Sequence, residues 1–157
     1  MTSKEIKIAY TEYTSLEELE PKDKELAQAA IDATAQAYAP YSKFNVGAAV
    51  LFEDGVIVKG SNQENAAYPS GLCAERTALF YASASRPDKA MVAISIAAVH
   101  NGELCDTPAT PCGACRQVMA QYQLKSGLPM MVLLVGAHNI WKFEKIDDLL
   151  PLIFDSI

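Results

Sequence analysis

The chain has 157 residues, half of them hydrophobic, and a formal net charge of −6. That supports one domain with a sizeable core and excludes a disordered chain, and the acidic balance, without a basic patch, argues against binding a long polyanion. No stretch reaches the roughly 18 apolar residues of a membrane helix, and MTSKEIKIAYTEY has no apolar signal core. The expected setting is the cytoplasm, where cysteines stay reduced.

Residues 1–15 read as an N-terminal extension carrying an edge strand, and residues 16–157 as a single domain. From Leu16 to Tyr38 the sequence is rich in Ala, Leu, Glu and Lys, which predicts helix, with Pro21 breaking or starting it and Pro40 ending it. VGAAVLF (46–52) and VIVKG (56–60) flank Glu53-Asp54-Gly55, a hairpin signature. CAERTALFYASAS (73–85) is helical, MVAISIAAV (91–99) a buried strand, CGACRQVMAQYQLK (112–125) helical and MMVLLV (130–135) a second buried strand. Only GAHN separates the last of these from IWKF (140–143). A parallel crossover needs a dozen residues or more, so the last two strands must be antiparallel. The strands at 91 and 130, joined by a helix, should be parallel. The expected fold is α/β, a three-layer α/β/α sandwich on a mixed five-stranded sheet.

Four cysteines are present. In a reducing compartment such a group more often binds metal or does chemistry than forms disulfides. Thr110 can cap the helix at 112 and Pro111 suits its first position, which places Cys112 in the first turn with Cys115 on the same side. Cys73 stands at the start of the other central helix. Helix N-termini favour thiolates, and two helices on one face of a parallel strand pair can aim three of them at one point. Zinc suits three thiolates, and three protein ligands leave a fourth position open for water. Glu75 can reach round the helix end to move protons there. Arg76 and Arg116 lie close in sequence to the cluster and can offset its charge by hydrogen-bonding sulfur, Arg76 being preferred.

The blocks CAER (73–76) and PCGACRQ (111–117) resemble the zinc nucleobase deaminases, in the form with three cysteine ligands. YAPYSKFNVGAA (38–49), NQENAAYPSGLCAERTALF (62–80), TPCGACRQVM (110–119) and DLLPLIF (148–154), all in order, are similar to the cytidine deaminases that act on free nucleosides. The resemblance implies hydrolytic deamination of cytidine and 2′-deoxycytidine to the uridines and ammonia. It implies one zinc per subunit on Cys73, Cys112 and Cys115, with Glu75 as proton shuttle. Phe44 would stack on the pyrimidine, Asn62 and Glu64 would hold the ribose, and the backbone of Ala74 would read the base. It also implies a homotetramer in which Ala66, Tyr68 and Phe154 complete a neighbour's site.

Other readings attach to the same residues. C-x-x-C alone would favour a structural zinc site, closed by Cys105 or His100 as fourth ligand, or a redox pair. Glu75 could be a helix-start carboxylate and Phe44 plain core. Within the fold, another aminopyrimidine such as blasticidin S is an alternative substrate, against which N-x-E-N weighs because the pair suits ribose hydroxyls. A polynucleotide editor is disfavoured by the acidic charge and by GAHN, which leaves no room for a helix before the last strand.

Overall fold

The computed structural model describes residues 1–155. Its strands are β1 (Thr11–Tyr13), β2 (Phe44–Phe52), β3 (Ile57–Ser61), β4 (Met91–His100), β5 (Glu103–Leu104), β6 (Met131–Val135) and β7 (Ile140–Phe143). Its helices are α1 (Pro21–Ala33), α2 (Ala74–Ser85) and α3 (Gly113–Ser126). All the strands join one mixed sheet in the order β1-β7-β6-β4-β2-β3, with β5 on β4.

The sheet therefore has seven strands where five were expected. The additions are short. β1 pairs antiparallel with β7 and forms the sheet's edge, as the alternating N-terminal segment anticipated. β5 pairs only with Val99 and His100, at the end of β4. A two-residue strand has no periodicity to betray it in sequence. The expected pairings hold elsewhere: β4 and β6 are parallel, β6 and β7 antiparallel, and β2 and β3 form a hairpin closed through Gly55 at φ +87°.

Pro21 starts α1, occupying the position where a missing N–H costs nothing. The helix stops at Ala33, earlier than its composition predicts, and Thr34–Gln36 tighten into a 3₁₀ turn. Strand alternation divides the core in two. Ala93 and Ala97 of β4, with Ala49 and Leu133, face Leu26, Ala27 and Ala30 of α1. Ile94 and Ile96, with Ala48, Val50, Val132 and Leu134, face α2 and α3 through Ala78, Leu79, Met119 and Ala120. The result is the three-layer α/β/α sandwich. On the α1 side small residues allow close approach: a Cβ on Gly47 would lie 2.1 Å from the Ala30 carbonyl oxygen.

Because β3 and β4 are both antiparallel to β2, they run parallel to each other, and β6 runs with them. α2 connects β3 to β4 and α3 connects β4 to β6. Both helices therefore begin beyond the carboxyl ends of parallel strands, where open α/β sheets place their ligands. No helix among the described residues is long and apolar enough to cross a membrane.

Candidate active site

The starts of α2 and α3 meet there. Cys73 is the residue capping α2 and Cys112 the residue capping α3. The expected cap, Thr110, lies two residues too early, and Pro111 precedes the helix. Both cysteines are in extended conformation, with φ −67° in each. Each side chain thus stands off its helix end, among backbone N–H groups that have no intrahelical partner. Cys115, one turn into α3, is fully buried. The three sulfurs lie within 4.8 Å of one another, and among the described residues no other His, Cys, Asp or Glu joins a metal-sized group. His100 and Cys105, the proposed closing ligands, stay outside it.

The electrostatics follow from crowding. Cys112 and Cys115 sulfurs are 3.5 Å apart. Hydrogen bonding from the Cys115 thiol stabilises the Cys73 thiolate, and the Arg76 guanidinium adds a second donor 3.6 Å from the Cys73 sulfur. Cys73 is thereby held down to about 5, while that bond and burial push Cys115 up. Glu75 is buried, and loss of solvent raises its carboxyl above the usual value, with the negative charge on Cys73 adding to the effect. Three thiols converging at two helix N-termini, one of them backed by arginine, fit zinc.

Arg116 does not reach the sulfurs. Its Nε donates to the Pro111 carbonyl at 2.8 Å and its Nη1 to the Leu149 carbonyl at 2.8 Å, fastening the C-terminal segment to the start of α3.

A cavity of about 910 Å³ opens on this point, lined by Cys73, Cys112, Glu75 and Arg76. Phe44, Asn62, Glu64, Ala66, Tyr68 and Ala74 also line it. Asn62 is engaged with the chain itself: its Oδ1 accepts from Val46 N–H at 2.8 Å and its Nδ2 donates to the Phe44 carbonyl at 2.9 Å. Glu64 Oε2 accepts from the N–H groups of Tyr41 and Ser42 at 2.9 and 3.2 Å. Hydrogen bonds from Ser42 and from the Tyr41 backbone hold its carboxyl below the usual range. Phe154 stands apart from this cavity, exposed, its carbonyl held by Gln117 Nε2 at 2.7 Å.

Tyr41, Leu72 and Thr110 also line the cavity; sequence reasoning assigned Thr110 a role only as a helix cap, and Tyr41 and Leu72 none. Tyr41 lay within the YAPYSKF block. Leu72 and Thr110 each stand immediately before a residue of a half-site block, and that adjacency was the available signal.

The family model for the cytidine and deoxycytidylate deaminase zinc-binding region matches residues 20–130. The chain belongs to this family. A cytidine deaminase of Halalkalibacterium halodurans is 52% identical over 99 residues, 61% of this chain and 68% of that one. One from Sporosarcina psychrophila is 51% identical over 87 residues, 55% of this chain and 60% of the relative. The crystal structure of cytidine deaminase from Burkholderia pseudomallei superposes with a TM-score of 0.67 at 39% identity, covering 83% of this chain and 97% of that one. In this chain the matched region takes in both half-sites, and the metal of the family region is zinc.

Proposed function

We propose that the protein is a zinc-dependent deaminase that hydrolyses cytidine and 2′-deoxycytidine to uridine and 2′-deoxyuridine, releasing ammonia. The observation that carries this reading is the buried Glu75 beside three converging thiols, at the wall of a cavity large enough for a nucleoside. Cys73, Cys112 and Cys115 hold the zinc. When bound, zinc supplies Lewis-acid activation of a water nucleophile at neutral pH.

The chain's own groups do the rest. Glu75 lines the cavity two residues after Cys73. Its burial-raised proton affinity suits it to accept a proton from water, then deliver protons to N3 of the base and to the departing amino group. Arg76 offsets the charge of the thiolates. Phe44 stacks on the pyrimidine, and Ala74, first residue of α2, offers a free N–H to the base. Asn62 and Glu64 hold the ribose with what their contacts to β2 and the 41–42 turn leave over: the second Nδ2 hydrogen and Oε1. The Glu64 carboxyl, held below its usual range by those hydrogen bonds, stays an acceptor at neutral pH.

Assembly as a homotetramer with shared sites belongs to the same reading. Tyr68 lines the cavity yet is 91% exposed, and Phe154 is 68% exposed although its backbone is pinned. Side chains so apolar and so exposed are expected to be covered. The cytoplasm is the proposed setting.

An ultraviolet assay with cytidine, with and without chelator, tests the activity. Glu75→Gln should keep its zinc and lose turnover by about 10²–10⁴-fold; full activity in that variant excludes the mechanism. Comparing cytidine with cytosine, dCMP and blasticidin S tests the substrate. Light scattering gives the assembly, and recovered activity on mixing Glu75→Gln with Phe154→Ala subunits would demonstrate site sharing.

A further inference from the structure

Phe44 opens β2 on the cavity wall, and its backbone is fixed from two sides. Its N–H donates to Ser42 Oγ at 3.0 Å and its carbonyl accepts from Asn62 at 2.9 Å. These bonds set where the ring starts but not where it points. The ring meets the imidazole of His100, with centroids 5.9 Å apart and planes at 50°. The two residues are register partners on the last rung between β2 and β4. Tilted aromatic pairs at this separation attract beyond their area burial, and directly opposed cross-strand pairs are where sheets gain such energy.

The rung ends the β2–β4 ladder. Lys43 before Phe44 and Asn101 after His100 both take left-handed backbone, at φ 57° and 54°: β2 enters the sheet here, and β4 turns back into β5, whose Glu103 pairs with His100 on its other side. No further rung beyond His100 props the Phe44 ring. His100 is itself exposed and does not line the cavity. It touches the wall residue and not the space within.

We propose that His100 is a positioning residue: its imidazole backs the Phe44 ring and holds it in the orientation that a pyrimidine base stacks upon. This rests on the reading of Phe44 as the base-stacking residue. A freed ring weakens ground state and transition state alike, so the loss should fall on KM and leave kcat standing.

The test compares steady-state cytidine deamination by the zinc-loaded wild type, His100→Ala and His100→Phe. His100→Ala should raise KM roughly three- to tenfold, the span of a lost aromatic pair, with kcat within about twofold of wild type. His100→Phe should restore KM, because a ring and not an imidazole is required. An unchanged KM in His100→Ala overturns the proposal, as does an equal loss of kcat or a failure of phenylalanine to rescue. A wild type that turns over no pyrimidine nucleoside overturns the functional reading and this inference with it, whereas an active wild type beside an unaffected His100→Ala overturns this inference alone.

Discussion

The Arg76 guanidinium lies 3.6 Å from the Cys73 sulfur, three residues along from the capping position of α2. The contact is local in sequence and sits on one face of the helix start, so it forms as soon as the helix does. Its consequence is chemical. A donor to a ligand sulfur withdraws electron density and leaves zinc a better Lewis acid. Arg76→Gln should keep the fold and lower metal affinity or turnover by about 10- to 100-fold. Zinc content by mass spectrometry and turnover, read side by side, separate the two effects.

Zinc should also fasten two helices that are otherwise joined by packing and by one exposed hydrogen bond, from Lys125 Nζ to Ser83 Oγ at 3.3 Å. Ligands from α2 and α3 belong to different crossovers, so binding favours only the assembled sandwich. A ligand at 100 times its dissociation constant stabilises by about 2.7 kcal/mol. Chelation should therefore lower the melting temperature, zinc should restore it and magnesium should not. Cys112→Ser should melt at the chelated temperature and ignore added zinc. Calorimetry with each metal checks this.

Gly60 is predicted to be more sensitive than Gly113. A Cβ on Gly60 would lie 2.5 Å from the Ala78 N–H nitrogen and 2.7 Å from its Cα, so β3 and α2 would have to separate. Gly60→Ala should cost about 1–3 kcal/mol and weaken zinc binding, because α2 carries Cys73. Gly113 has open space at the same position, and Gly113→Ala should stay within about 0.5 kcal/mol. Denaturant titration of both variants is the measurement.

At the opposite end of the sheet, Asp54 takes a bidentate pair from Arg86 at 2.9 and 2.7 Å. The pairing holds its carboxyl down to about 2, below the ordinary 3.8. A folded value below the unfolded one adds stability above the unfolded value, and that stability is lost as pH falls through the folded one. Asp54→Asn should thus lower the urea midpoint slightly at pH 7, the pair being exposed to solvent screening. The gap should close between pH 4 and about 2. A gap independent of pH would rule out the ion pair as its source.

Much of this was legible because it is local. Pro21 announced the start of α1. The four residues of GAHN forced β6 and β7 antiparallel by chain length alone. The separation of Cys112 and Cys115 follows from helix geometry, and a parallel β4–β6 pair joined by α3 implies where that helix begins.

What stayed hidden depends on partners distant in the chain. Arg116 beside the cluster was the second candidate, after Arg76, for a donor to sulfur. The carbonyl of Leu149, 33 residues away, claims it instead, and no local pattern predicts that competition. The same holds for Asn62. Its amide bonds β2 backbone at Phe44 and Val46, a contact that exists only once β2 and β3 have paired in register.

By itself, then, the sequence determined the main helices and the central strands with their directions, because each follows from periodicity and connection length, and it named the three thiols and their neighbouring carboxylate through two short blocks. Only the tertiary structure decided that Cys73 and Cys112 cap their helices, that Arg116 is drawn away to the Leu149 carbonyl, and that His100 faces Phe44. Those are matters of strand register and helix docking; within a strand, a shift of one residue would turn each side chain to the opposite face.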